Sequence, residues 1–234
     1  MSIQLRDIHK SFGSLRLYSQ FSLELAEKRI SCILGPSGCG KTSLLNMIGG
    51  IIPQDEGVIL GVDQKEASFI FQEPRLLPWK SVHDNLQFVL RNQHLPDKDK
   101  VINTNLRIVG LQQFAHYYPG QLSGGMKQRV AIARAFCYPS DIILMDEPLK
   151  TLDPVLKWNL MKTFLKIWQK DRRTVVFVTH DVEEALVMGQ DIYVFSQPPV
   201  RIKKHMVNPL KQEEKQMDHS AFFNQKKKIM EHLD

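Results

Sequence analysis

A glycine-rich segment limits the possible folds of this chain more than any other part of its sequence: Gly35-Pro36-Ser37-Gly38-Cys39-Gly40-Lys41-Thr42. It matches the pattern G-x-x-x-x-G-K-[ST], which needs a strand before it and a helix after it. The apolar run 30–34 predicts that strand, and residues 42–48 predict the helix. The glycines allow a tight turn and bring backbone amides close to an anion. The segment therefore predicts a phosphate-binding loop, because a turn that is glycine-rich by chance does not explain eight matching residues in this context.

The end of this loop predicts the contacts to a bound phosphate chain. The helix that starts near Lys41 presents its positive amino end to an anion. Lys41 can reach the β- and γ-phosphates of a nucleotide as a point charge, and the Thr42 hydroxyl can bind Mg²⁺. Ser43 follows in the first helical turn. We include Ser43 in the predicted nucleotide-binding set together with the whole loop.

Two neighbouring acids supply the carboxylates that such a loop needs. The run 142–145 predicts a buried strand, and Asp146 and Glu147 follow directly at its carboxyl end. Ligands of open α/β sheets bind at that edge. Asp146 is predicted to hold Mg²⁺, directly or through water, and Glu147 to orient and deprotonate the attacking water. Two acids after a strand could instead begin a helix, but the phosphate loop in the same chain favours the catalytic interpretation.

A histidine ends the next apolar strand, in Val178-Thr179-His180-Asp181. A single histidine is usually a structural residue. Here its strand is expected to lie beside the strand that carries Glu147, which would bring the His180 imidazole to the γ-phosphate. Together these residues indicate nucleoside triphosphate hydrolysis, with Glu147 and His180 as catalytic residues.

The order of predicted elements indicates an α/β fold. The first two predicted strands alternate like an antiparallel pair with one buried face, and the later ones are continuous apolar runs, typical of parallel strands buried on both faces. The predicted strands lie at 3–6, 21–25, 30–34, 67–71, 141–145 and 174–178. Residues from about 82 to 135 have the pattern of helices broken by polar loops. We therefore expect a parallel sheet core, an N-terminal antiparallel β subdomain and an inserted α-helical subdomain.

Length and composition exclude several classes of protein. The chain has 234 residues, of which 43% are hydrophobic and 24% charged, which predicts one globular domain over 1–234. No stretch approaches the roughly 18 apolar residues that span a bilayer, and no signal peptide is visible, so we expect a cytoplasmic location. Three cysteines at unrelated spacings indicate neither a disulfide framework nor a zinc cluster.

The charge of the chain is less informative. Residues 201–234 carry eight Lys or Arg against five Asp or Glu, so this basic tail supplies +3 of the net +6. Such an excess is compatible with nucleic acid, an anionic membrane surface or phosphate ligands, and it does not choose among them. We expect the tail to form a terminal helix or to be mobile.

A further glycine-rich segment makes a family recognisable. Leu122-Ser123-Gly124-Gly125-Met126-Lys127-Gln128-Arg129 lies twenty residues before the acids (146 − 126 = 20). With Phe71-Gln72, the phosphate loop and His180, in this order and spacing, the chain resembles the ATP-binding subunits of ABC transporters over about residues 2–200. The resemblance implies a P-loop NTPase fold with a RecA-like core, an active ATPase, and ATP and Mg²⁺ as cofactors.

The resemblance also implies roles for further residues. Phe12 matches the aromatic residue that stacks on adenine, and Gln72 matches the glutamine that contacts Mg²⁺ and the lytic water. Ser123, Gly124, Gly125 and Met126, here called the signature loop, match the segment that contacts ATP bound to a partner subunit. Asp153 matches the acid of the loop that crosses the dimer interface.

Partners and location follow from the same resemblance. It implies a second ATP-binding subunit, in a dimer of two such chains closed around two ATP molecules, and transmembrane permease subunits on which the helical subdomain docks. It also implies a periplasmic or lipid-anchored substrate-binding protein. The chain would lie at the cytoplasmic face of the inner membrane as a peripheral subunit, with no nucleic acid partner expected.

The segment 75–79, Arg-Leu-Leu-Pro-Trp, resembles the nitrate, sulfonate and taurine branch of importers. Importers of thiamine-precursor pyrimidines share it, and an ABC ATPase acting on nucleic acid or ribosomes is the remaining alternative. The chain also departs from the family, because Lys150-Thr151-Leu152-Asp153 stands where Ser-Ala-Leu-Asp is usual. This leaves the contacts of Lys150 and Thr151 across a dimer open.

Overall fold

A computed structural model describes residues 2–62, 67–150, 152–211, 214–215 and 219–233. The central element is a six-stranded sheet in the order β5-β6-β7-β3-β8-β9. Its first five strands are parallel, and β9 is antiparallel to β8. The strands are β3 (Ile30–Leu34), β5 (Ser68–Ile70), β6 (Ile142–Asp146), β7 (Thr174–Thr179), β8 (Asp191–Phe195) and β9 (Ile202–Val207).

A second, antiparallel sheet is formed by β1 (Ile3–Phe12), β2 (Leu15–Leu25) and β4 (Glu56–Leu60), in the order β2-β1-β4. The turn between β1 and β2 is tight because Gly13 adopts a φ of 56°, a left-handed conformation that glycine accepts without strain. The two sheets together confirm the predicted α/β fold with an N-terminal antiparallel sheet.

Seven α-helices complete the described part of the chain. Three of them lie between β5 and β6, pack on one another, and form the helical insertion. The helices are α1 (Lys41–Ile48), α2 (Val82–Val89), α3 (Lys98–Ile108), α4 (Gly124–Cys137), α5 (Pro154–Asp171), α6 (Val182–Met188) and α7 (Ser220–Met230). None of the helices in the described residues has the length and apolar character that a bilayer crossing requires.

The central sheet is buried on both faces, as its continuous apolar strands predict. Along β7, Val175 and Phe177 belong to the core shared with α4, α5 and α6, while Val176 and Val178 belong to the core shared with α1 and the antiparallel sheet. This alternation follows from the two-residue period of a strand. Helices and the second sheet therefore cover the two faces and leave the strand ends as the accessible edges.

The C-terminal segment is more ordered than its charge suggests. The expectation of a helix or a mobile tail from residue 201 omits strand β9, which pairs with β8. The strand then leads to α7, which buries Phe222 and Ile229 while its lysines stay at the surface. Strand β9 is hard to predict because most of its residues are exposed and two of them are lysines. Ile202 and Met206 are partly buried, and they are too few to give a strand pattern.

Candidate functional site

The glycine-rich loop lies between β3 and α1, at the carboxyl edge of the parallel sheet. Gly38 and Gly40 adopt φ values of 78° and 101°, which other residues rarely reach. A Cβ on Gly38 would meet nothing within 4 Å, so its backbone faces open space. The carbonyl of Gly40 accepts a hydrogen bond of 3.0 Å from the Tyr18 hydroxyl of β2. The antiparallel sheet thus holds the loop, and the open backbone gives a phosphate room to approach.

Lys41 places its charge inside this loop. Its Nζ donates to the carbonyls of Gly35 at 2.7 Å and Pro36 at 2.8 Å. The residue is only 5% exposed. Cys39 lies beside it, with Sγ 3.9 Å from Nζ, and burial raises the pKa of the thiol. The loop therefore presents a desolvated ammonium group, which attracts phosphate more strongly than an exposed one.

The first acid lies at the end of β6, where Asp146 Oδ1 accepts a hydrogen bond of 3.0 Å from the Thr42 hydroxyl. Burial raises the pKa of this carboxyl, and the neighbouring Glu147 carboxylate adds to the rise, while the bond from Thr42 opposes it. A cation would relieve this cost. Thr42 and Asp146 thus offer two adjacent oxygens of the kind that Mg²⁺ prefers.

The second acid, Glu147, has a tighter set of contacts. Its Oε2 lies 3.0 Å from His180 Nδ1 and 2.9 Å from Lys150 Nζ. Burial would raise its pKa, but the hydrogen bond from Lys150 and the positive charges of His180, Lys150 and Lys41 outweigh it, so the pKa lies below its ordinary value. Glu147 is therefore a carboxylate at neutral pH, which a proton acceptor must be.

A cavity of about 330 Å³ collects these groups from distant parts of the chain. Phe12, Gln72 and Glu147 line it together with residues 37–43 of the loop and first helical turn, apart from Cys39, which is buried. Phe12 is 48% exposed, so one aromatic face is available beside the phosphate loop. The cavity thus combines an aromatic surface, an anion-binding loop and the carboxylate of Glu147. Asp146 and His180 do not line it, but they contact the lining residues Thr42 and Glu147.

Gln72 is positioned by the helical insertion. The loop that carries it is held by a bond of 3.5 Å from Gln128 of α4 to the carbonyl of Phe71. Arg134, also on α4, donates to the carbonyls of Pro74 and Arg75, both at 2.9 Å. Movement of α4 would therefore move the loop that carries Gln72.

In the part of the chain that the structure describes, neither the signature loop nor Asp153 lines this cavity. Ser123 and Asp153 instead cap helices, since their side chains accept bonds from the amides of Met126 at 3.3 Å and Leu156 at 2.9 Å. The two segments lie together: a Cβ on Gly125 would come within 2.1 Å of the Leu156 side chain. Thr151 lies outside the described residues.

Three residues that line the cavity are not among the predicted site residues. Leu15 and Leu17 of β2 line it, and their alternation on a strand beside Phe12 is the sequence signal for them. Lys150 also lines it, three residues after Glu147, at a position where the chain departs from the family pattern. A larger cavity, of about 860 Å³, lies near Ser140 and Thr174 at the opposite edge of the sheet and contains none of the predicted site residues.

Fold and site together define a P-loop nucleoside triphosphatase: a phosphate loop follows the parallel strand β3, and two acids stand at the end of β6, which is separated from β3 by β7. The model of the ABC transporter family matches residues 18–150, more than half of the chain. The chain belongs to the ABC transporter family. ATP-binding subunits of this family are ATPases, and this chain is one of them.

Curated relatives match most of the chain. An uncharacterized ABC transporter ATP-binding protein of Methanocaldococcus jannaschii is 40% identical, over 81% of this chain and 74% of the relative. The taurine import ATP-binding protein TauB of Jannaschia sp. is 37% identical, over 86% and 78%. The aliphatic sulfonates import ATP-binding protein SsuB of Bacillus cereus is 35% identical, over 90% and 87%.

Solved structures agree. A bacterial ABC transporter cassette, solved as a dimer, matches 89% of this chain and 100% of its own with a TM-score of 0.78 and 27% identity. A post-hydrolysis dimer of an ATP-binding cassette, bound to ADP and phosphate, has the same coverage and identity with a TM-score of 0.75. These likenesses confirm the predicted P-loop NTPase fold.

Proposed function

We propose that this chain powers the import of a small anion, of the taurine or sulfonate type, through separate transmembrane subunits. The observation that carries the proposal is the cavity at the sheet edge, which is lined by the phosphate loop, Thr42 and Glu147. Asp146 and His180 lie directly behind it, bonded to Thr42 and Glu147. The names of the relatives, TauB and SsuB, support the choice of cargo. The chain would act as a peripheral subunit at the cytoplasmic face of the inner membrane.

ATP is the proposed ligand of the cavity. Phe12 would stack on the adenine, while the backbone amides of residues 35–43 and the Lys41 side chain would bind the phosphates. Thr42, Gln72 and Asp146 would hold Mg²⁺, which when bound neutralises phosphate charge. Among the described residues no group of three or more His, Cys, Asp or Glu side chains gathers as a metal site. This fits an ion that is held largely by phosphates and water rather than by a protein cage.

Glu147 is the proposed general base. It would accept a proton from water as the water oxygen attacks the γ-phosphorus, while the bond between that phosphorus and the oxygen of the leaving ADP breaks. His180, bonded to Glu147 through Nδ1, leaves Nε2 for the γ-phosphate.

The site of one chain is incomplete, which supports a dimer as the active form. The signature loop and Asp153 lie outside the cavity, and both cap helices whose amino ends attract anions. A second copy arranged head to tail would bring its signature loop to the ATP of the first. The dimeric cassettes with the same fold support this arrangement.

Dimer closure would be transmitted through α4. This helix carries the signature loop at its amino end and holds the Gln72 loop through Gln128 and Arg134. The helical insertion, at about 78–138, would dock on the permease, so closure would move the permease as well. A periplasmic or lipid-anchored binding protein would deliver the cargo.

Replacing Lys41 by Ala is expected to weaken ATP binding by about 10- to 100-fold. The change removes charge-assisted bonds that are each worth about 1.5–3 kcal/mol, and tenfold in affinity corresponds to about 1.4 kcal/mol. Titration calorimetry with ATP measures the effect. Replacing the exposed Lys166 of α5 by Ala is the matched control. An affinity of Lys41→Ala within twofold of the wild type would contradict the proposed role.

Replacing Gly124 by Leu is expected to abolish ATP-dependent dimerisation while leaving the monomer folded. A Cβ on Gly124 meets nothing within 4 Å in the single chain, so the fold accepts the larger residue. In the proposed dimer the same space is filled by the nucleotide of the partner. Gly120→Leu is the control, because a Cβ there also meets nothing within 4 Å. Size-exclusion chromatography with ATP measures dimerisation, and a thermal melt shows whether the monomer is folded. If Gly124→Leu formed a dimer as the wild type does, the proposed closure would be wrong.

The import function is tested in the native host. A strain without this gene should lose growth on taurine or alkanesulfonates as sole sulfur source, and regain it with the wild-type gene but not with Glu147→Gln. Purification from the host membrane should recover a multi-span subunit. If the strain grew normally on these compounds but lost uptake of pyrimidine precursors, the cargo would be a pyrimidine precursor instead. Recovery of ribosomal proteins without a membrane subunit would contradict an import function.

A further inference from the structure

Lys150 is a charged residue of the site to which the proposed mechanism gives no role. Its Nζ forms an ion pair of 2.9 Å with Glu147 Oε2. The lysine side chain is 41% exposed and lines the nucleotide cavity, while the Glu147 side chain is 11% exposed. The lysine therefore extends from the cavity surface to a partly buried carboxylate.

The contacts of Glu147 are unequal between its two oxygens. Oε2 accepts from both His180 Nδ1 and Lys150 Nζ. Within the described part of the chain, Oε1 has no hydrogen bond. The backbone supports this arrangement, since the amide of Lys150 donates to the carbonyl of Glu147 at 3.3 Å and Glu147 has a φ of 40°. A short turn thus places the lysine over the acid that it contacts.

We propose that Lys150 is a positioning residue for Glu147: its ammonium group anchors Oε2, so that Oε1 is left to accept the proton of the attacking water. The inference deepens the proposed function, because it rests on Glu147 as the general base. Two donors on one oxygen fix the plane of a carboxylate that one histidine bond would leave free to rotate. Small displacements of a catalytic group are costly, up to about 10²-fold in rate for 1 Å.

The test compares Lys150→Met, Lys150→Arg and the control Lys166→Met in the purified protein. We expect Lys150→Met to lower kcat for ATP by about tenfold with KM within about twofold, since positioning affects the chemical step and not uniform binding. Lys150→Arg should restore kcat to within about threefold, because it keeps the charge and the donors. Lys166→Met changes an exposed lysine of α5 and should leave both constants unchanged.

A double-mutant cycle with Glu147→Gln decides whether the lysine acts through the acid. If it does, Lys150→Met changes the residual rate of Glu147→Gln by less than about twofold. A tenfold loss in both backgrounds, a tenfold rise in KM, or an unchanged kcat of Lys150→Met would each overturn the proposal; the second result would make Lys150 a direct ligand of the nucleotide. Glu147→Gln alone at the wild-type rate would instead refute the general base, so the two failures are distinguishable.

Discussion

Replacing Glu147 by Gln should lower kcat for ATP hydrolysis by about 10²–10⁴-fold, the usual contribution of a general base. The amide keeps the shape of the side chain but cannot accept the proton of the attacking water. ATP binding should persist, because the phosphate loop and Lys41 are unchanged. The variant should therefore accumulate as an ATP-bound dimer, measured by size-exclusion chromatography with ATP beside a phosphate-release assay.

The matched control is Glu231→Gln, which makes the same change at an exposed position after α7. It should hydrolyse ATP at the wild-type rate. Hydrolysis by Glu147→Gln at that rate would show that another group takes the proton. Loss of ATP binding in Glu147→Gln would contradict the separation of binding and chemistry on which the proposed mechanism depends.

Replacing Lys157 by Met is expected to destabilise the fold by about 3–5 kcal/mol, the usual cost of breaking a buried ion pair from one side. Lys157 Nζ lies 2.5 Å from carboxylate oxygens of both Asp181 and Glu184. The Glu184 side chain is 2% exposed, so removal of the lysine would leave a buried acid without its cation. For a chain of this size the melting temperature should fall by roughly 10 °C, at about 2–4 °C per kcal/mol.

A second substitution separates this cause from lost packing. Glu184→Gln in the Lys157→Met background should recover part of the stability, because the amide needs no cation and can keep the bond that Thr179 makes with Glu184 at 2.6 Å. Lys166→Met, on the exposed face of the same helix, should melt as the wild type does. A melting temperature of Lys157→Met within about 2 °C of the wild type would mean that water replaces the lysine.

This cluster also has consequences for the site. Asp181 follows His180, and its Oδ1 caps α6 by accepting from the amides of Glu183 at 2.8 Å and Glu184 at 3.3 Å. Lys157 lies on α5, the helix that Asp153 begins. The cluster therefore connects the segment predicted to cross the dimer interface with the loop that carries His180.

Much of the fold could be predicted because its signals are local. The phosphate loop is a continuous segment in which glycine is required at positions with left-handed φ, such as Gly38 and Gly40. Parallel strands that are buried on both faces consist of unbroken apolar runs, so β3, β6 and β7 can be predicted from the sequence. Strand β9 was not, because its pairing with β8 depends on a partner elsewhere in the chain and its exposed face carries lysines.

The chemical groups of the site can be predicted from the residues along the chain: a phosphate loop, two acids after a strand, and a histidine after the next strand. Which of these groups come into contact depends on the folded arrangement. In the structure Thr42 bonds to Asp146, and both His180 and Lys150 contact Glu147, while the signature loop stays apart from the cavity. Local patterns predict strands, helices and turns, whereas distances between side chains depend on the order of the strands in the sheet, which no short segment encodes.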